Sequence, residues 1–187
     1  MSDPIYFCLV RYADDFVVMC RKDVEEPLKV VRHVLERLGL SLNEAKTHIV
    51  DATEASFNFL GFTLQMSRGA KTGKPYPNVR PADKSLKKIK ARLTELTGRE
   101  LTAIPLGDIV GNVNRSLRGW ANYFHYRNSS LAMSKVRTHA EDRLRTHLMN
   151  RHKVKDRGTG LRRYLYERYG LYKVSTGAGW RSAHASA

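Results

Sequence analysis

The chain has 187 residues, 42% of them apolar, with 33 Lys and Arg against 18 Asp and Glu for a formal net charge of +15. That length allows one ordinary domain or two small ones, no stretch approaches the roughly 18 consecutive apolar residues that span a bilayer, and the N-terminus has no signal-peptide pattern. Two cysteines, Cys8 and Cys20, without a second Cys/His pair at ligand spacing, exclude a zinc module and a disulfide framework. A cytoplasmic protein that does not contact membrane is the expectation.

Phe7 to Val10 and Phe16 to Cys20 are short apolar runs flanking Tyr12-Ala13-Asp14-Asp15, a pattern of strand, tight turn, strand with two carboxylates at the tip. Neighbouring side chains on a strand point to opposite faces, but a tight turn relaxes the alternation, so both aspartates can reach one site. Two such carboxylates suit Mg²⁺, a hard ion held by one or two carboxylates together with substrate phosphates. Paired ions of this kind stabilise the attacking and leaving oxygens of phosphoryl transfer. Asp-Asp pairs also occur in exposed turns, where they are simply solvated. The flanking Leu9, Val10, Phe16, Val17, Val18 and Met19 would bury the hairpin in a sheet, and this favours the metal site.

Residues 24 to 38 place Val24, Leu28, Val31, Leu35 and Leu38 on one helical stripe, with Asp23 as the N-cap, Pro27 tolerated in the first turn and Gly39 as the stop. Thr47 to Val50 and Phe57 to Met66 suit strands, while Ser67 to Pro81 carries enough Gly, Pro and Lys for a loop or hairpin tip. Asp83 can cap a helix that runs to Thr97, and further helices are expected over Leu106 to Tyr126, Leu131 to His152 and Leu161 to Tyr169. The Ala-, Gly- and Ser-rich residues 175–187 read as a disordered tail. The expected organisation is α+β over 1–70, a linker over 71–82 and an all-α bundle over 83–174.

Charge divides along the same line. Residues 1–70 hold 8 basic and 10 acidic side chains, and residues 71–187 hold 25 and 8. Such a basic half suggests a polyanion, from which Lys and Arg displace condensed counterions; a solvated basic surface or an anionic membrane are the blander readings. Lys84, Lys87 and Lys88 crowd the first helix of the bundle. In the second, Arg115, Arg118, Asn122 and Arg127 alternate with Trp120, Tyr123, Phe124 and Tyr126, and Arg143 and Arg145 continue the basic surface in the third. Phosphate contacts position nucleic acid without reading its sequence, and aromatic rings stack on unpaired bases. Trp120 and Phe124, at i and i+4, more often pack helices together than stack on bases.

Four segments, in order, resemble the group II intron reverse transcriptase/maturases: RYADDF (Arg11 to Phe16), GLSLNEAKT (Gly39 to Thr47), FNFLGF (Phe57 to Phe62) and RSLRGWANYF (Arg115 to Phe124). The resemblance implies a partial reverse-transcriptase palm of antiparallel strands plus a helix, followed by a basic all-α thumb or maturase bundle. It implies that Asp14 and Asp15 are catalytic metal ligands in a two-metal Mg²⁺ site and that Tyr12 and Ala13 line the nucleotide pocket for a dNTP. Asn43, Lys46, Leu60 and Gly61 would lie near the active site and primer. Lys46 reads equally well as a surface lysine in a turn, whereas Gly61, lacking a Cβ, lets backbone approach a primer strand closely. The implied partners are intron RNA and an RNA/DNA template-primer.

Relatives also carry a fingers region and an earlier palm strand with another metal-binding aspartate, and Asp3 lies too close to the turn to be that residue. The expectation is therefore a C-terminal part that does not polymerise alone. Two alternatives stay open: an RNA-binding splicing module that keeps YADD as a relic, and one subunit of a split reverse transcriptase completed by a separate fingers and palm polypeptide.

Overall fold

The computed structural model describes residues 7–21, 23–152 and 160–175, and the chain divides into two compact units, Met1–Asp51 and Ala52–Ala187. The tail expected over 175–187 lies outside the described residues except for Ser175.

In the first unit, β1 (Phe7–Tyr12) and β2 (Asp15–Cys20) form an antiparallel hairpin in which Tyr12 faces Asp15 and Phe7 faces Cys20. The two-residue connection needs backbone with positive φ to match strand twist, and Ala13 supplies it at φ 54°. The apolar flanks do not bury the hairpin as expected. Every residue of β1 is exposed, Leu9 at 56%, because the hairpin is a two-stranded sheet by itself.

Helix α1 (Glu25–Arg37) follows, with Pro27 buried and Leu28, Val31 and Leu35 half-buried along the expected stripe. Val24 takes the N-cap position, and the Asp23 carboxylate beside it accepts the Glu25 N–H at 2.9 Å. At the other end Gly39 adopts φ 68°, and the N–H groups of Gly39 and Leu40 return to the carbonyls of Glu36 and Leu35. That pattern satisfies carbonyls the helix leaves open. Thr47 to Val50, expected as a strand, is irregular.

The second unit opens with a three-stranded antiparallel meander, β3 (Phe57–Phe59), β4 (Phe62–Arg68) and β5 (Pro75–Pro81), in the order β3-β4-β5. A turn at Leu60 and Gly61, whose φ angles are 49° and 79°, divides Phe57 to Met66 into β3 and β4, with Gly61 in the turn as its place in FNFLGF suggests. Of the loop or hairpin tip expected over Ser67 to Pro81, the hairpin is what forms, with its tip between Arg68 and Pro75. Its second strand escapes a sequence reading because Pro75, Pro77 and Pro81 argue against a strand, although proline is tolerated at a sheet edge and β5 is an edge. Asn128 borders that strand, donating its backbone N–H to the Val79 carbonyl at 2.9 Å while its side-chain oxygen accepts the Val79 N–H at 3.4 Å.

Helices α2 (Asp83–Glu95), α3 (Leu106–Phe124), α4 (Ser130–His152) and α5 (Gly160–Glu167) complete the unit, with a short 3-10 turn at Arg99–Leu101. Ala82, rather than Asp83, is the N-cap of α2. The core is α3's stripe of Ile109, Val110, Val113, Leu117, Ala121 and Phe124 packed with Leu93 of α2 and Met133, Val136, Ala140 and Leu144 of α4. Glu141, buried at 8%, accepts the Tyr166 hydroxyl at 2.7 Å and pairs with Arg162 at 2.6 Å, which fastens α5 to α4.

The meander meets the helices at Gly61. Its carbonyl accepts the Ala82 N–H at 2.8 Å and the Ser85 hydroxyl at 2.9 Å, and the Leu60 carbonyl accepts the Tyr123 hydroxyl at 3.0 Å. A Cβ at Gly61 would stand 3.1 Å from Ser85 Oγ and 3.2 Å from Phe124 Cζ. Gly61→Ala combines left-handed strain with that crowding and is expected to destabilise the protein by roughly 1–3 kcal/mol. A denaturation midpoint unchanged from wild type would contradict this.

The seam between α2 and α4 is polar. His139 donates its Nε2–H to the Lys90 carbonyl at 3.1 Å, and Thr94 Oγ1 stands 3.3 Å away. Burial pulls the His139 pKa below its ordinary 6.5, and Lys90 and Arg143 push the same way, outweighing the backbone hydrogen bond and the Asp142 charge. The unfolded chain therefore takes up this proton before the folded one. His139 contributes stability above about pH 6.5, and that contribution is lost as pH falls through the lower folded value. Stability of wild type should drop more steeply between pH 7.5 and 5 than that of His139→Gln; parallel curves would remove His139 as the cause.

Candidate functional site

The carboxylate pair is positioned by the first hairpin. Asp14 occupies the turn and Asp15 starts β2, both exposed, and Tyr12 ends β1 at 65% exposure. Ala13 is fixed less by its own preference than by Arg11, whose Nε donates to the Ala13 carbonyl at 2.8 Å and so ties the strand end to the turn. Arg11 belongs to the motif, yet nothing in residue spacing singled it out for this role. Among the described residues neither carboxylate enters a hydrogen bond or ion pair, so their oxygens are open to a cation. That donor set of two adjacent carboxylates fits an oxygen-seeking ion completed by water and phosphate. Among the described residues no group of three or more His, Cys, Asp and Glu comes together as a metal cage.

In the same unit, Asn43 and Lys46 sit on an exposed turn after α1. The Asn43 carbonyl accepts the N–H groups of Lys46 and Thr47 and the Thr47 hydroxyl at 3.0, 2.9 and 2.9 Å, and Arg32 pairs with Glu44 at 2.9 Å. This fixes the turn against α1 and leaves the Lys46 side chain in solvent. Leu60 and Gly61, expected near primer, form the β3–β4 turn. Their carbonyls and the space where a Gly61 Cβ would be are taken up by Ser85, Tyr123 and Phe124.

The second unit carries the cationic surface. Lys84, Lys87 and Lys88 are exposed on α2. On α3, Arg115, Arg118 and Asn122 form one exposed row, opposite the buried stripe, and continue into exposed Tyr123, Tyr126 and Arg127. The Arg118 guanidinium lies over the Tyr172 ring at 5.1 Å and that of Arg127 over Tyr126 at 5.4 Å. Tyr172 is 54 positions from Arg118, so no local signal could have paired them. Arg127 adopts φ 53°, an uncommon conformation for such a side chain.

Trp120 packs against the core and stacks on Phe124 at 5.0 Å, as its spacing favoured. Arg145 is exposed beside Asp142 at 3.8 Å. Arg143 is placed differently. It is half-buried and donates Nε to Thr97 Oγ1 at 3.1 Å and Nη2 to the Thr97 carbonyl at 3.3 Å, so its charge serves the α2–α4 seam.

Two family models match the chain: reverse transcriptase (RNA-dependent DNA polymerase) over residues 3–64, and the group II intron maturase-specific domain over residues 86–165. The chain belongs to the group II intron reverse transcriptase/maturases. No curated protein matches it. Among the described residues no helix is long and apolar enough to cross a membrane.

Proposed function

We propose that the hairpin supplies two metal-binding carboxylates to reverse transcription, while the helical unit grips intron RNA and the RNA/DNA template-primer. Asp14 and Asp15 would hold Mg²⁺, which when bound stabilises charge on the phosphates of an incoming dNTP. Tyr12 and Ala13 stand next to them and would border the nucleotide. The functional division proposed is a palm segment over 1–70, a connection over 71–82 and a thumb or maturase bundle over 83–174, although 57–81 form the β3-β4-β5 meander in the same compact unit as the helices.

The observation that carries the RNA half is the exposed row of Arg115, Arg118 and Asn122 on α3, bordered by Tyr123, Tyr126 and Arg127, with the Lys84, Lys87 and Lys88 group on α2 and Arg145 on α4 adding to the cationic surface. Guanidiniums already seated on tyrosine rings lose less freedom when they meet a phosphate. RNA affinity should fall with salt, and Arg118→Ala should reduce the slope of log K against log salt by about 1. An unchanged slope for both Arg115→Ala and Arg118→Ala would move RNA away from α3.

Among the described residues the two carboxylates stand without a third, and the apolar β1 strand is exposed along its length. On this reading the chain alone does not extend a primer, and a polypeptide bearing fingers and the remaining palm pairs with the free edge of β1. Primer extension with Mg²⁺ should appear only when such a polypeptide is added and should be abolished by Asp14→Asn. Extension by the chain alone would refute the first statement, and full activity of Asp14→Asn would refute the role of the carboxylate.

A further inference from the structure

A cleft of about 370 Å³ opens in the second unit between the start of α3, the end of α4 and α5, lined by Leu106, Gly107, Leu148, Arg151, Tyr164 and Tyr169 among others. We propose that this cleft binds a purine nucleoside 5′-phosphate, its base against the tyrosine pair and its phosphate at Arg151. The phosphate-bearing nucleotide comes either free from solution or as an unpaired residue of a bound RNA. Only the RNA source rests on the reading given above.

Four features support it. The volume falls in the roughly 300–1,000 Å³ range of small-molecule sites. Leu106 and Leu148, 7% and 6% exposed, give the cleft an apolar floor. Tyr164 and Tyr169 meet edge to face at 5.2 Å with their hydroxyls 3.3 Å apart, so one wall is an aromatic pair with polar tips. Tyr164 remains 40% exposed and available for stacking. Arg151 is half-buried and held in place by donating one Nη1–H to the Ile104 carbonyl, which leaves its other N–H groups for an anion.

Electrostatics agree with an anionic ligand. Arg168 lies over the Tyr164 ring at 5.8 Å, His152 is also on the cleft wall, and among the described residues no carboxylate lines it; Asp108, in the first turn of α3, is not part of the lining. The Tyr169 hydroxyl is held below the ordinary tyrosine value by its hydrogen bond with Tyr164, then by Arg168 and Arg151, against a smaller opposing effect of burial. The same bond raises Tyr164. Either hydroxyl can donate across the pair, and the O–H that does not donate there is available to an acceptor on the ligand. α3 is 19 residues long, so at 1.5 Å per residue its start lies roughly 28 Å from the Tyr126 and Arg127 end. The cleft is a separate subsite from that end of the arginine row.

The test is equilibrium binding of the full chain to 5′-AMP, UMP and inorganic phosphate by calorimetry, and to a labelled oligoadenylate by anisotropy. Gly107→Leu is the principal variant, because a Cβ at Gly107 meets nothing within 4 Å and the larger side chain can occupy the cleft mouth without disturbing the helix start. Tyr169→Phe removes only the hydroxyl. AMP should bind more tightly than UMP or phosphate, and Gly107→Leu should weaken it roughly tenfold or more, the size of one lost base stack, with an unchanged thermal midpoint. Failure of AMP to bind, combined with a tenfold loss of oligoadenylate affinity in Gly107→Leu, would identify the RNA as the source. Indifference of both ligands to Gly107→Leu and Tyr169→Phe would overturn the proposal. A chain that binds AMP but no RNA would keep the cleft and overturn the RNA reading alone.

Discussion

Burial of one face of α3 is the constraint on which the rest of the helical unit depends. Ile109, Val110, Val113, Leu117 and Ala121 are each 1% exposed or less, and a stripe so fully enclosed fixes the rotation of the helix about its axis. Arg115, Arg118 and Asn122 are thereby held outward, where they would be useless if the helix turned by a third. Each buried aliphatic side chain is worth roughly 1.5–3 kcal/mol, far above the cost of holding a few exposed arginines. The outward placement of the cationic row is a by-product of core packing.

Two polar junctions then lock the neighbours of α3. At one, Gly61 and Leu60 give their carbonyls to Ser85, Ala82 and Tyr123, joining the meander to α2 and α3. At the other, Thr97 donates its hydroxyl to the Leu93 carbonyl at 2.7 Å and receives Arg143, while the buried His147 stands 3.4 Å from its carbonyl through Nδ1. Cationic groups at the C-terminal end of α2 also suit the partial negative charge of a helix terminus. Both junctions use side chains that sequence patterning assigns to nucleic acid. Burial decides which arginine is committed to structure: Arg143 is drawn into the seam and Arg118 stays exposed.

The first unit follows a different logic. Two strands and one helix cannot enclose the apolar residues they carry, so Leu9, Val10, Met19, Val30 and Val34 remain exposed. An isolated hairpin is marginal in water, and here Arg11 and the Gly39 cap supply local order that a large core supplies elsewhere. The carboxylates sit on a two-residue turn whose geometry is set by strand register rather than by packing. That arrangement leaves them open to solvent and to whatever substrate approaches.

The sequence by itself determined the helices, the YADD hairpin and the family, because those are written in short-range patterns: a 3.6-residue apolar period over Leu106 to Phe124, a glycine stop at Gly39, and ordered motifs. It did not determine β5, where three prolines argue against a strand that only an edge position permits. Nor did it distinguish Arg118 from Arg143. Both are basic residues on helices of the basic half, and only the tertiary contacts with Tyr172 and Thr97, each more than 40 positions away in the chain, distinguish the exposed one from the one in the seam. Periodicity reports which face of an element is apolar; what lies across from the polar face is set by packing between distant segments, and that was decided by the fold.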